Sequence, residues 1–138
     1  RFTLDGKPAA NLEVAIALAP QVKDSKPAFS PKTGTMMLWE KFDGYGLGTG
    51  VVIEPSRVVK MISHTDAAGH PQALCLARTD ADGGIRWFSG FGWEGQGDIT
   101  TAEKWTAYLK GFAAKFIKKP YSADASFKVH TLDVPAAH

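Results

Sequence analysis

Ile85-Arg86-Trp87-Phe88-Ser89-Gly90-Phe91-Gly92-Trp93-Glu94-Gly95-Gln96-Gly97-Asp98-Ile99-Thr100, continued by Thr101-Ala102-Glu103-Lys104-Trp105-Thr106-Ala107-Tyr108-Leu109-Lys110-Gly111-Phe112-Ala113-Ala114-Lys115-Phe116, is the stretch whose reading decides the fold. It reads as a strand, a loop rich in glycine and carboxylates, and a helix. Thr100 followed by Glu103 has the spacing of a capping box, in which hydroxyl and carboxylate each satisfy an orphaned backbone N–H. Trp105, Tyr108, Leu109, Phe112, Ala113 and Phe116 then recur on one helical face. Burying each large side chain contributes about 1.5–3 kcal/mol, so this helix is expected to anchor a sheet. Pro120 is expected to end it, and Lys115, Lys118 and Lys119 suit the negative end of its dipole.

Working back from this stretch, the chain reads as consecutive antiparallel strands. Leu12, Val14, Ile16 and Leu18 alternate with less apolar residues up to Pro20, and Gln21 to Thr35 reads as a long exposed connection. Met36 to Glu40, Val51 to Ile53, Arg57 to Ile62, Ala73 to Arg78 and Ile85 to Phe91 are further strands, with Asp82-Gly83 a hairpin signal. Gly44, Gly46, Gly48 and Gly50 alternate, but a strand follows where a dinucleotide fingerprint needs a helix. Glycine at that period permits close backbone approach instead. Phe127 to Leu132 reads as a short last strand in a tail spanning 120–138. The fold class expected is mainly β, an antiparallel β-sandwich with one C-terminal amphipathic α-helix, in a single domain.

The 138 residues carry 16 basic and 14 acidic side chains without a clustered basic face, which argues against a nucleic-acid partner. No apolar run approaches the roughly 20 residues that cross a bilayer, so no membrane partner is expected. The single cysteine, Cys75, lies in an apolar run and reads as a small buried hydrophobe.

Four features bear the residue types of a chemical site. Trp93, Glu94 and Asp98 combine an aromatic face with carboxylates on a glycine-rich loop, the vocabulary of sugar sites. His64, with Asp66 and His70, offers a proton carrier, although the spacing is no recognised metal motif and no metal or cofactor is named by the sequence. Trp39 and Glu40 with Tyr45 form a second aromatic and carboxylate group, and Arg86 is a candidate ligand for a uronate carboxylate. Glu40, His64, Glu94 and Asp98 are therefore the candidate catalytic residues, and Trp39, Trp93, Arg86 and Tyr45 the candidate substrate-binding residues. Each has a structural alternative in core packing, turn chemistry or ion pairing.

Trp39-Glu40, the Gly44 to Gly50 run with its Val-Val-Ile-Glu-Pro continuation, Phe91-Gly92-Trp93-x-x-x-Gly97-Asp98-Ile99 and Trp105-x-x-Tyr108-Leu109 together resemble the C-terminal part of the family catalogued as domain of unknown function 4861. The resemblance runs from near Arg1 to about Ile117. It implies part of a larger mutarotase-like sandwich in an exported, periplasmic or extracellular bacterial protein that accompanies enzymes degrading uronate-containing polysaccharides. The expected function is a hydrolase or lyase acting on acidic oligosaccharides, with a noncatalytic glycan-binding or assembly module as the alternative. The expected partners are an oligosaccharide and either an N-terminal half of the same protein or a second copy, since a half sandwich leaves an apolar face and open edges.

Overall fold

A computed structural model describes residues 1–118 and 132–134. Among these residues, ten strands form three sheets and are joined by one α-helix. Strands β3 (Glu13–Leu18), β7 (Val58–Thr65) and β8 (Pro71–Arg78) make one antiparallel sheet in the order β3-β8-β7. Strands β4 (Ala28–Ser30), β5 (Thr35–Phe42), β6 (Tyr45–Ile53) and β9 (Trp87–Trp93) make a second in the order β4-β5-β6-β9. A small third sheet joins β1 (Phe2–Leu4) to β2 (Lys7–Pro8) and, in parallel, to β10 (Leu132–Val134). Helix α1 (Ala102–Lys118) covers the second sheet on the side away from the first.

Alternation along β5 and β6 explains the layering, because successive side chains of a strand point to opposite faces. Met36, Val51 and Ile53 face the first sheet and form one core with Ala73, Cys75, Ala77 and Ile85. Met37 and Val52 face the helix and form a second core with Ile99, Trp105, Leu109 and Ala113. The expected mainly β sandwich with a single packed helix is the observed architecture, with α1 the only α-helix among the described residues.

The alternating glycines decide how closely that helix sits. Asp43 and Gly44, with φ of 49° and 83°, make the two-residue turn between β5 and β6, and Gly46, Gly48 and Gly50 lie inside β6. All three are on the helix side, where a stripe without side chains receives large ones. A Cβ on Gly46 would lie 2.1 Å from the Trp39 ring, one on Gly48 2.4 Å from the Trp105 indole, and one on Gly50 2.4 Å from Leu109. Gly92 of β9, paired with Gly48, continues the groove beneath Trp105. The Trp105 Nε1 donates to the Thr49 carbonyl at 3.2 Å, satisfying the one polar atom of that ring.

Four expectations change. The helix is capped by Thr101 rather than Thr100: the Lys104 N–H donates to the Thr101 hydroxyl at 3.2 Å, which moves Glu103 out of the reciprocal position and leaves its charge near the positive end of the dipole. Tyr108 stacks on Trp105 at 5.8 Å but is 56% exposed, on the flank of the apolar face rather than within it. The 21–35 connection contains β4, which extends the second sheet. Asp82-Gly83 makes a corner between sheets and not a hairpin, since β8 and β9 belong to different sheets; the Asp80 carboxylate holds it by accepting from the Asp82 and Gly84 amides. The expected strand from Phe127 lies outside the described residues except for Leu132, which begins β10, and the Pro120 helix stop also lies outside them.

Candidate functional site

The sequence candidates divide over both faces of the second sheet, the helix-side loop and the first sheet. Glu40, Leu47 and Trp93 stand opposite one another across β5, β6 and β9 and so share the face toward the first sheet. Trp39, Gly48 and Gly92 form the adjacent row on the helix face, where the half-buried Trp39 packs against the helix core with its ring over Gly46. The structure therefore uses Trp39 for packing. Glu40 is 3% exposed and spends its carboxylate on the backbone, accepting from the Gln21 amide at 3.0 Å and the Val22 amide at 2.7 Å.

Glu94 lies on the helix side. It accepts from the Gly46 amide at 2.7 Å and from the Lys41 ammonium at 3.2 Å. These two contacts, the amide first, hold its carboxyl below the usual carboxylate range, which suits a fixed anion and not a general acid at neutral pH. A carboxyl whose pKa is depressed by folding stabilises the protein above its unfolded value and loses that contribution as pH falls through the folded value. The Lys41–Glu94 contact is accordingly expected to remain intact at pH 4.5, the ordinary glutamate value, and to dissolve only as pH falls through the lowered folded value. A carboxyl-detected NMR titration checks this: a Glu94 midpoint at or above pH 4.5 would contradict the assignment.

His64 is exposed on β7, in the first sheet, opposite Gln72. Its loop neighbours Asp66 and His70 make a local turn: Asp66 accepts from the Ala68 and His70 amides and lies 3.4 Å from the His70 ring, contacts that lower its pKa, the His70 amide foremost. No group of three metal-ligating side chains occurs among the described residues. Cys75 is fully buried, and burial pushes its thiol up to about 11, so it remains an unionised core residue. Arg86, half buried, immediately precedes β9, some 17 Å along the strand from Phe91.

What the fold does assemble is a surface along β9 and α1. An open cleft of about 720 Å³ is lined by Phe91 on the strand, Asp98 and Ile99 in the loop and Glu103, Lys104, Ala107 and Tyr108 on the helix. Asp98 thus belongs to a concave site. Tyr45 is 70% exposed, at the sheet end where it pairs with Phe42. Trp87, Phe91 and Trp93 project on alternate positions of β9 and retain 47%, 66% and 48% of their exposure, with Phe91 and Trp93 rings 6.1 Å apart. Trp93 was legible as a surface aromatic from the glycine-rich loop beside it. The exposure of Trp87, Phe91 and Tyr108 was not, because an aromatic at strand or helix spacing reads as core.

A family model with the description Domain of unknown function (DUF4861) matches residues 2–121. No curated protein and no solved structure matched the chain.

Proposed function

The chain belongs to the DUF4861 family, and we propose that it works as a noncatalytic assembly module whose working surface is the outer edge of β9. The observation that carries this reading is the unguarded character of that edge. Outer strands of soluble sheets are commonly protected by charge, proline, bulges or shortness. Here β4 has three residues, β3 places Glu13 in an ion pair with Arg78, and β7 carries Lys60, His64 and a register shift between Val58 and Lys60. β9 has seven residues, no charge and no proline, and its ladder with β6 is regular. Exposed aromatic surface beside such an edge marks an interaction site.

The positions of the carboxylates support a noncatalytic role. Glycosidases work with two carboxyl groups flanking one bond, whereas Glu40 and Glu94 lie on opposite faces of a sheet and both are engaged by backbone amides. A second reading, glycan binding, is favoured by the cleft, where Tyr108 brings an aromatic ring and Asp98 and Glu103 bring acceptors for hydroxyl groups. Two carboxylates against the one Lys104 ammonium suit a neutral sugar better than a uronate.

Amide hydrogen exchange tests the assembly reading without presupposing the partner. The Glu94 amide donates to the Gly46 carbonyl and the Arg86 carbonyl accepts from the Glu54 amide, so even-numbered positions of β9 bond to β6 and odd-numbered ones point outward. In the dilute protein the Trp87, Ser89 and Phe91 amides are expected to exchange at least tenfold faster than those of Phe88, Gly90 and Gly92, and to become protected on assembly. Equal protection of both sets in the dilute protein would mean that the edge is already closed and would overturn the reading.

A further inference from the structure

Resting on the assembly reading, we infer that the β9 edge takes the β9 edge of a second copy, antiparallel about a two-fold axis at Gly90, joining two second sheets into one. The Trp87–Trp93 segment is complementary to itself in that register. Ser89 stands opposite the partner's Phe91, Phe88 opposite the partner's Gly92, and Gly90 opposite the partner's Gly90, so that large side chains meet small ones except where Trp87 meets the partner's Trp93. Charge does not oppose this register: Arg86 at one end of the strand falls opposite the partner's Glu94, an acid already paired with Lys41 in its own copy, and no like charges face each other.

Backbone geometry agrees as well. Trp93 is already engaged, its amide donating to the Gln96 side chain at 3.4 Å and its carbonyl accepting from the Gln96 amide at 3.0 Å. Ser89 and Phe91 point outward on either side of Gly90, and each forms a hydrogen-bonded pair with the other residue type of the partner. The three exposed aromatic side chains of β9 supply roughly 300 Å² per copy, below the about 800 Å² per partner of a standard stable interface. The dimer is therefore weak and dissociates on dilution.

Directed disulfide formation tests both partner and register. Residues of a hydrogen-bonded antiparallel pair have Cα atoms about 5.5 Å apart, within disulfide reach. A mixture of Ser89→Cys and Phe91→Cys proteins, oxidised mildly at high concentration, is expected to yield at least ten times more disulfide-linked dimer than either protein alone. Both positions are exposed and the natural Cys75 is fully buried, so neither folding nor background linkage interferes. Ser89→Lys, which places a charge on the edge, is expected to abolish concentration-dependent dimerisation in sedimentation velocity. Linkage of Ser89→Cys alone would overturn the register. A monomer at every concentration, with no linkage from the mixture, would overturn the second copy as occupant while leaving the assembly reading intact if the outward amides still exchange fast.

Discussion

Replacing Gly48 with Ala is expected to lower the stability of the protein by about 3 kcal/mol or more, a shift of roughly 10 °C in melting temperature. Inside a strand, Gly to Ala would ordinarily stabilise by about 0.5–1 kcal/mol, because glycine loses more backbone entropy on folding. Packing reverses the sign here. The new Cβ would lie between 2.4 and 2.6 Å from three atoms of the Trp105 indole, against an ordinary carbon contact of about 3.5–4.0 Å. Trp105 is 2% exposed, tethered through Nε1 to Thr49 and stacked on Tyr108, so the ring has to carry the helix outward with it. Gly111 is the internal control. It lies exposed in α1 with nothing within 4 Å of an added Cβ, and Gly111→Ala is expected to stabilise by about 1 kcal/mol. Denaturant melts of both variants make the comparison, and a Trp105→Phe background should remove at least half of the Gly48→Ala penalty, since the two residues share one contact. Equal and small effects at positions 48 and 111 would mean that the glycine stripe does not seat the helix.

The same contact explains how much of the fold was legible in advance. Glycine at period 2 following Trp39 indicated a strand face approached by something bulky, and the Trp105, Leu109 and Ala113 spacing supplied the object. Neither pattern says which sheet face the helix takes. That depends on β9 joining β6 so that Gly92 aligns with Gly48, a pairing across more than forty residues of chain. Local signals misplaced the cap by one residue because Thr100 and Thr101 are adjacent hydroxyls, and only the backbone decides which one leaves the helical conformation. The Asp82-Gly83 turn failed as a hairpin signal for a related reason: turn chemistry specifies the reversal of the chain but not whether the next strand returns to the same sheet. Among the candidate site residues, residue type was informative and convergence was not. Glu40 and Glu94 share an environment rich in amide donors while lying on opposite faces, a relation set by strand parity that no linear spacing of carboxylates displays.

Glu40 separates a structural carboxylate from a catalytic one, and its replacement by Ala is expected to destabilise the protein by about 3 kcal/mol. The carboxylate stands on β5 but serves the segment beyond Pro20, where the Gln21 and Val22 amides both point at it. Removing it leaves these donors without their acceptor in a part-buried position, and hydrogen bonds to an ionised group are worth about 1.5–3 kcal/mol each. Glu40→Gln keeps one acceptor oxygen but puts an amide group, itself a donor, against a donor, so roughly half the loss is expected. The segment between Pro20 and β4 should come loose before the sheets do, which limited trypsin digestion reads as faster cleavage after Lys23 in both variants, most in Glu40→Ala. A catalytic Glu40 predicts the converse pattern. Stability and Lys23 protection would survive in Glu40→Gln, and turnover of an acidic oligosaccharide would be the property lost. Because Glu40 is buried and its carboxylate accepts from two backbone amides, the first pattern is the one expected.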